Sequence, residues 1–292
     1  MNTHTEIKKI LLAGATGYLG SYILSELEKR DFQIKAISRK MNKLSHITSV
    51  KTQVIEAEVT KPKTLENICD DCNYVISTIG ITKQKDGLTY MDVDYQANFN
   101  LLQEAKKSKV EKFIYVSVLN GENLMDVAIC NAKEKFVDEL KKSGIDYCII
   151  RPNGFFSDIK EFYTMAQKGS VYLFGDGTLK ANPIHGQDLA EVCVDALFSE
   201  QKEIEIGGPQ ILTQNEIALT AFNVLNKKPK IIHIPDWIRK ISMKILRLFM
   251  SNNSFGPIEF FMTVMAIEMI APQHGKHTLK EFFEGMKTGK TS

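Results

Sequence analysis

Three glycines spaced three residues apart lie where an apolar run gives way to an amphipathic pattern near the start of the chain. The run KKILLAG (8–14) has the composition of a buried strand, and YLGSYILSELEKR (18–30) places its apolar residues at helical spacing. We expect Gly14 to take positive φ in the turn, Gly17 to let a pyrophosphate approach, and Gly20 to let the helix pack closely. The stretch therefore predicts a dinucleotide-binding turn, with a merely tight turn as the alternative.

Apolar, β-branched runs alternate with helical patterns through the first half of the chain, which predicts a parallel, doubly wound α/β sheet. Further strands are predicted at 33–38, 52–59, 73–80, 111–118 and 145–152, and helices at 95–109 and 132–144. After Pro152 the sequence is rich in turns and then mostly helical. We therefore predict a dinucleotide-binding domain at 1–152 and a smaller, mostly helical substrate-side lobe at 153–292. The strand EIEIGG (203–208) is a candidate to return to the main sheet.

The composition is that of an ordinary globular protein of 292 residues, with 43% hydrophobic and 25% charged residues. Thirty-seven basic and 35 acidic residues leave a net charge of +2, which offers no electrostatic reason to expect nucleic acid as a partner. The first residues, MNTHTEIKK, are polar and lack the apolar run of a signal peptide, so a cytoplasmic location is expected.

Five cysteines are scattered through the chain, and two of them, Cys69 and Cys72, form a C-x-x-C pair. A metal or redox site of this kind needs a second pair or a thioredoxin-like context, and the sequence has neither. We interpret the pair as structural and predict no metal site.

The segment 237–272 departs from the rest of the chain. Its first part, WIRKISMKILRLFM (237–250), is basic and amphipathic, and FGPIEFFMTVMAIEMIAP (255–272) is nearly all apolar. Pro257 and Pro272 bound the apolar part, which leaves a helix of about 15 residues where a membrane span needs about 20. Buried helices over a substrate pocket are therefore favoured, and contact with a membrane surface is the alternative.

The glycine spacing is G-x-x-G-x-x-G, and further segments resemble the short-chain dehydrogenases/reductases. GATGYLG resembles the extended and atypical members, YQANFNLLQEAKKS places Asn98 at the family's asparagine, and EKFIYVSVLNG resembles the active-site strand ending in Ser117. GIDYCIIRPNGFF and NPIHGQDLAEV (182–192) resemble later segments. The resemblance covers about residues 7–230 and is closest to the NmrA-like atypical group. It implies a Rossmann sheet, a nicotinamide cofactor and a substrate cleft above the carboxyl ends of the strands.

The end of the second strand bears on the choice of cofactor. An NAD site places a carboxylate there, about 20 residues after the glycines, for the ribose 2′-hydroxyl. Here the strand ends in Ser38, Arg39 and Lys40, and a guanidinium can pair with a 2′-phosphate, so NADP(H) is predicted. By resemblance, the adenine and ribose sites should lie after the third and fourth strands. The predicted cofactor-binding residues are Gly14, Thr16, Gly17, Tyr18, Leu19, Gly20, Ser38, Arg39, Lys40, Glu58, Val59, Ser77, Thr78, Ile79, Gly80 and Lys133.

The catalytic pattern of the family is incomplete. None of the nine tyrosines has a lysine four residues later, although the family carries Tyr-x-x-x-Lys on one helix. The best register places the lysine at Lys133 and isoleucine, Ile129, where the proton-donating tyrosine belongs. Ser117 and Lys133 are the predicted catalytic residues, while His185 and Asp188 are expected to be structural.

Two classes of function follow. The first is an atypical NADPH-dependent oxidoreductase acting on a small apolar substrate, with the proton supplied by water or another side chain. The second is a non-catalytic NADP(H)-binding redox sensor or assembly factor, and a nucleotide-sugar epimerase is a third possibility. An apolar cleft is suggested by four residues, although such residues more often belong to a core, namely Phe260, Phe261, Met262 and Met265. The sequence does not identify the substrate or the oligomeric state.

Overall fold

The computed structural model describes residues 7–45, 47, 49–81 and 87–289. Most of the N-terminal stretch used to judge a signal peptide, residues 1–6, lies outside this range. The strands are β1 Lys9–Ala13, β2 Gln33–Ser38, β3 Thr52–Glu56, β4 Tyr74–Ser77, β5 Lys112–Val116, β6 Asp146–Pro152, β7 Val171–Phe174, β8 Lys180–Ala181, β9 Glu203–Ile206, β10 Leu212–Thr213 and β11 Ile231–Ile234. The α-helices are α1 Tyr18–Glu28, α2 Asn98–Lys107, α3 Ala128–Lys141, α4 Phe156–Gln167, α5 Gly186–Asp195, α6 Gln214–Leu225, α7 Asp236–Phe249, α8 Asn252–Val264 and α9 Leu279–Thr288.

The main sheet has the doubly wound order β3-β2-β1-β4-β5-β6-β9 in the described part of the chain. β1 pairs in parallel with β2 on one side, with Leu12 opposite Ala36, and with β4 on the other, with Leu12 opposite Ile76. The direction of winding therefore reverses between β1 and β4. In such sheets the ligand binds at the carboxyl ends of the strands at this point of reversal. The prediction of a Rossmann fold is confirmed.

Burial explains why the strands are apolar throughout rather than alternating. All five residues of β5 are buried, as expected for a parallel sheet covered on both faces.

Cys69 and Cys72 lie in the same core as free thiols, and burial raises the pKa of Cys72 to about 11. A buried, protonated thiol is a poor nucleophile and a poor metal ligand. Within the described ranges, no group of three or more His, Cys, Asp or Glu residues is placed to hold a metal ion.

The chain divides into two compact units. The first comprises Met1–Arg151 and Leu189–Ile204, and the second comprises Pro152–Asp188 and Glu205–Ser292. The first unit thus includes most of α5, which the sequence-based boundary after Pro152 assigned to the second lobe. In the second unit, α4, α6 and α9 form a core of their own, with Phe162, Phe222 and Phe283 fully buried.

Several element boundaries differ from the prediction. The helix predicted at 132–144 begins at Ala128, and a π-helix at Met91–Ala97 runs directly into α2. The third strand ends at Glu56 instead of residue 59, because the chain turns there toward a short 3₁₀ helix. Pro257 lies inside α8 rather than at its boundary, and Phe261 on that helix is exposed.

The expectation that 237–272 forms buried helices is wrong for α7. None of its residues is buried, and Trp237, Ile241 and Ile245 on this helix are exposed. The spacing correctly indicates an amphipathic helix, but periodicity alone does not reveal what covers an apolar face. None of the helices in the described ranges has both the length and the apolar character needed to cross a membrane.

Candidate functional site

The turn after β1 has the backbone geometry that the glycine spacing predicts. Gly14 has a φ of +93°, and a Cβ placed on it would lie 2.3 Å from Thr78 Oγ1. The Gly17 N–H donates to the Gly14 carbonyl oxygen at 2.9 Å, which closes the turn just before α1 begins. A side chain at residue 14 would therefore meet both a strained backbone and the segment after β4.

Gly17 and Gly20 have different surroundings. A Cβ on Gly20 would lie 2.0 Å from the Gly14 carbonyl oxygen, so α1 approaches the turn this closely only without a side chain there. A Cβ on Gly17 would meet that same oxygen at 3.2 Å, and among the described residues nothing else approaches it within 4 Å apart from its chain neighbours. Gly17 is the N-cap of α1 and provides no side-chain cap. An uncapped helix N-terminus with open space before it fits a pyrophosphate.

The other predicted residues of this turn differ in exposure. Thr16 is exposed beside Gly17 at the tip of the turn, while Leu19 is buried and packs α1 onto the sheet. Tyr18 is half-buried and contacts Tyr22 edge-to-face, with ring centroids 5.3 Å apart. Thr16 is therefore the side chain of this group that is most open to a ligand.

The end of β2 presents a free cation. Ser38 is buried, and its hydroxyl donates to the Lys40 carbonyl oxygen at 2.8 Å, which fixes the turn. Arg39 and Lys40 are exposed, and the Arg39 guanidinium forms no hydrogen bond or ion pair with a described residue. The end of β2 thus offers an unpaired guanidinium to an anion.

Glu58 and Val59 follow β3. Val59 is buried, and its carbonyl oxygen accepts a hydrogen bond from Asn100 Nδ2 at 3.1 Å. The hydrogen bond from Lys61 holds the pKa of the Glu58 carboxyl below its usual value, and the charge of Arg39 acts in the same direction. These two predicted adenine contacts therefore lie in the same region as the free guanidinium at the end of β2.

The end of β4 is held by Asn98. The Ser77 hydroxyl donates to Asn98 Oδ1 at 2.6 Å, and Asn98 Nδ2 donates to the Ile79 carbonyl oxygen at 3.2 Å. Thr78 donates through its N–H to the Ala13 carbonyl oxygen at 3.0 Å, which fixes this segment against the glycine turn. Asn98, at the family's asparagine position, thus fixes the segment after β4, where the ribose contacts are predicted.

A buried lysine approaches the same segment from α3. Lys133 Nζ lies 3.1 Å from Asp94 Oδ1 and beside the Tyr115 hydroxyl, and a Cβ on Gly80 would lie 3.0 Å from it. Asp94 Oδ2 accepts a hydrogen bond from the Ile81 N–H at 3.2 Å. We refer to Asp94, Tyr115 and Lys133 as the lysine cluster. It places a buried ammonium group at the end of β4, where the predicted ribose contacts are.

The lysine cluster is incompletely hydrogen-bonded. Asp94 Oδ1 and the Tyr115 hydroxyl are the buried side-chain atoms for which no described residue provides a hydrogen bond. Burial opposes the charge of Lys133, but the oxygens of Tyr115 and Asp94 outweigh it, so the pKa of the ammonium group is raised. Burial also raises the pKa of the Asp94 carboxyl, against the lowering effect of Lys133. Buried polar atoms without partners mark a place where a further donor or acceptor would be stabilised.

A second cluster lies beside the first and consists of the buried residues Ser117, Glu134 and Arg151 together with the exposed Glu203; we call it the arginine cluster. Arg151 donates to both oxygens of Glu134, at 2.7 and 2.9 Å, and through Nε to Glu203 at 2.8 Å. The Ser117 hydroxyl donates to Glu134 at 3.0 Å. Its single proton is committed to a carboxylate, and its predicted contact with a substrate stays a prediction.

Tyr115, the tyrosine of the lysine cluster, does not take over the position that Ile129 occupies. Ile129 is buried in the first turn of α3, one turn before Lys133. Tyr115 does adjoin Lys133, but it is fully buried, and burial raises the pKa of its hydroxyl well above the usual value. The family's mechanism needs an accessible tyrosine whose pKa is lowered. Tyr115 therefore does not replace the missing acid.

Sequence reasoning missed Asp94, Tyr115 and Glu134. Asp94 precedes Asn98 by four residues, so the helical spacing that places Asn98 at the end of β4 also indicates Asp94 on the same face.

Within the second unit, Asp188 pairs with His277 Nδ1 at 2.7 Å and accepts hydrogen bonds from the N–H groups of Lys276 and His277. This carboxylate holds a turn of the chain.

Comparison with known proteins agrees with this geometry. Residues 14–200 match the model of the NAD(P)H-binding family, which is more than half of the chain. The chain belongs to the NAD(P)H-binding family. An uncharacterized chloroplastic protein of Arabidopsis thaliana is 33% identical over 68% of this chain and 75% of its own length.

Relatives with described roles fall into two groups. The chloroplastic divinyl chlorophyllide a 8-vinyl-reductase of Arabidopsis thaliana is 27% identical over 94% of this chain and 75% of its own length. The photosystem II assembly factor Ycf39 of Synechocystis is 24% identical over 82% of this chain and 75% of its own length. This NAD(P)H-binding protein thus has relatives of both predicted classes, a reductase and an assembly factor, and its own cytoplasmic location stays a prediction.

Solved structures share the fold at low identity. A nucleoside-diphosphate-sugar epimerase of Staphylococcus aureus matches with a TM-score of 0.75 and 16% identity, over 94% of this chain and 99% of its own. A Bacillus cereus UDP-glucuronic acid 4-epimerase in complex with NAD matches with a TM-score of 0.65 and 18% identity, over 78% of this chain and 87% of its own. At these identities the likeness establishes the fold alone.

Proposed function

We propose that this protein is an NADPH-dependent oxidoreductase that reduces a conjugated carbon–carbon double bond in an apolar substrate. The observation that carries the proposal is the set of unsatisfied groups at the carboxyl edge of the sheet. It comprises the open, uncapped N-terminus of α1, the free guanidinium of Arg39 and the incompletely bonded lysine cluster beside Gly80. Each of these groups suits a different part of a phosphorylated dinucleotide.

Different residues of the site would bind different parts of the cofactor. Gly17 leaves the pyrophosphate path open at the end of α1, and Arg39 supplies a positive charge for the 2′-phosphate. Lys133, held by Asp94, can donate to the hydroxyls of the nicotinamide ribose. When bound, NADPH supplies a hydride.

The choice of a conjugated alkene rests on the missing acid. When a carbonyl is reduced, negative charge concentrates on one oxygen, which calls for a positioned proton donor. Residue 129 is isoleucine, and Tyr115 is sealed in the core. A conjugated system spreads the charge, so the proton can come from water in a slower step. The name of the 8-vinyl-reductase relatives, which match 94% of this chain, supports the same class of substrate.

Calorimetric titration with NADPH and NADH tests the cofactor. We expect NADPH to bind more tightly, and Arg39→Ala to weaken its binding by about 1.5–3 kcal/mol while leaving NADH nearly unchanged. Gly17→Val should abolish binding of both, because a branched side chain would fill the pyrophosphate path. Equal affinity of the native protein for both cofactors would refute the NADPH assignment.

Oxidation of NADPH with a substrate panel tests the reaction. Conjugated vinyl compounds, including divinyl tetrapyrroles, should be reduced. Simple ketones and aldehydes should react about 10²–10⁴-fold more slowly than they would with a positioned proton donor. Ile129→Tyr should raise the rate of ketone reduction about tenfold over the native protein, because it restores a hydroxyl one helical turn from Lys133. Brisk ketone reduction by the native protein would contradict the assignment of substrate class.

A second candidate is a non-catalytic NADPH-binding assembly factor. It is favoured by Ile129 together with the commitment of the Ser117 proton to Glu134, which leave the site without the family's catalytic hydroxyls. In that case NADPH binds as above, no member of the panel is reduced, and NADPH changes the affinity for a protein partner. A nucleotide-sugar epimerase is third, since it uses the same missing tyrosine and rests on likeness of fold.

A further inference from the structure

The solvent-facing side of α7 carries a contiguous apolar row. Trp237, Ile241, Ile245 and Leu248 recur at intervals of four, four and three residues, so they lie along one side of the helix. Together with Phe249 they are between 48% and 82% exposed. Side chains of this size are rarely left in water as a continuous row without a partner. The helix therefore presents an apolar docking face.

A basic row runs beside the apolar row at the same helical spacing. Lys240, Lys244 and Arg247 each precede an apolar residue of the first row by one position, which is a rotation of about 100° around the helix. Lys244 and Arg247 are exposed and form no ion pair or hydrogen bond with a described residue. Asp236 is the one acidic residue of α7, and it is already paired with Arg239 and Lys240. The face therefore combines apolar surface with uncompensated positive charge.

The opposite side of α7 holds the helix on the second unit. Arg239 donates to the Met262 carbonyl oxygen on α8 at 3.3 Å, and 13% of its side-chain surface is exposed, much less than for the residues of the apolar row. The side that packs on the protein and the side that carries the apolar row are thus different. The exposed row is available without unfolding any part of the unit.

We propose that α7 docks the protein on a bilayer surface that bears anionic headgroups. Apolar side chains led by tryptophan, with lysine and arginine alongside, are the composition of helices that lie in the membrane interface. At 14 residues α7 is about 21 Å long, shorter than the hydrocarbon core of about 30 Å, so it lies along the surface and does not cross it. The charge argues for a lipid partner over a second copy of this chain, because two such basic faces would repel each other.

The sole tryptophan of the chain makes the test specific, because its fluorescence reports on α7 alone. We expect the emission of Trp237 to shift to shorter wavelength, and the protein to sediment, with phosphatidylcholine vesicles that contain phosphatidylglycerol. Pure phosphatidylcholine vesicles should have little effect. Ile241→Glu/Ile245→Glu should lower the vesicle affinity by at least about 100-fold, and Lys244→Ala/Arg247→Ala by about 25-fold, since each basic residue contributes about fivefold at an anionic surface.

Matched variants remove the same groups elsewhere on the second unit. Ile211→Glu/Leu219→Glu introduces the same charge at exposed apolar residues, and Lys228→Ala/Lys230→Ala removes the same two charges from an exposed loop. Both should bind vesicles like the native protein. No shift with anionic vesicles would overturn the proposal. So would a shift without lipid that grows with protein concentration and coincides with dimers in analytical ultracentrifugation, which would assign α7 to a second copy. Neither outcome bears on NADPH binding, which involves the first unit.

Discussion

Two buried charged clusters begin at adjacent residues of α3 and differ in how completely they are satisfied. Glu134 receives two hydrogen bonds from Arg151 and one from Ser117, so its carboxylate is fully engaged. Lys133, one residue earlier, faces Asp94, and the oxygen it faces receives no hydrogen bond from a described residue. Both clusters carry the desolvation cost of buried charge. Only the arginine cluster recovers that cost from the protein alone.

The difference indicates two roles for two neighbouring side chains. A closed network of charge-assisted hydrogen bonds fixes β5, α3 and β6 relative to one another, and is structural. We propose that the lysine cluster, at the end of β4 where the sheet order reverses, serves a ligand through Lys133, whose side chain is 12% exposed while that of Asp94 is fully buried. The predictions that follow test this distinction by removing one group at a time.

The largest effect is expected from Arg151→Met. It leaves Glu134 buried without a cation and removes two hydrogen bonds from it, so the free energy of unfolding should fall by about 3–5 kcal/mol. Urea denaturation measures the change. Arg30→Met is the control, because its partner Asp195 is exposed and its other partner, Glu26, keeps its ion pair with Lys29, so the loss should be about 1 kcal/mol or less. Equal losses for both variants would show that the arginine cluster is not the structural network described here.

A smaller loss of stability, about 2–3 kcal/mol, is expected from Lys133→Met. Asp94 loses its cation but keeps the hydrogen bond from the Ile81 N–H, and the lost contact has poor geometry. Asp94→Asn/Lys133→Met should regain most of the loss, because the neutral amide needs no counter-charge. A double variant that is less stable than the single one would refute this account of the pair.

The smallest effect is a pH dependence of the Lys133→Met deficit. Burial raises the pKa of Asp94, and without Lys133 only the hydrogen bond from the Ile81 N–H acts to lower it. The folded state then holds a proton that the unfolded state releases, so this stabilisation is present at low pH and is lost as pH rises through the folded pKa. The deficit relative to the native protein should therefore shrink by about 1 kcal/mol between pH 8 and pH 5. A deficit that grows toward low pH would contradict a raised pKa for Asp94.

Much of the fold could be read from the sequence because its signals are local. Glycine spacing fixes the turn before α1, and unbroken apolar runs mark strands that are covered on both faces. The lysine cluster could not be read in this way, because Asp94, Tyr115 and Lys133 come from three separate elements. The same holds for Ser117, whose partner Glu134 is supplied by another element. For α7, periodicity predicted the helix but not which side is covered.

The affinity for NADPH of four proteins tests the central distinction most directly. Calorimetric titration is carried out on the native protein, Lys133→Met, Glu134→Gln and the control Lys112→Met, under conditions where all four are folded. Lys112 is also buried and paired with a carboxylate, Asp146, but it lies at the amino end of β5, away from the predicted site. We predict that Lys133→Met weakens NADPH binding at least about tenfold, the loss of one charged hydrogen bond, while the other two variants stay within about twofold. Native affinity in Lys133→Met, or an equal loss in Glu134→Gln, would contradict the assignment of the lysine cluster to the cofactor.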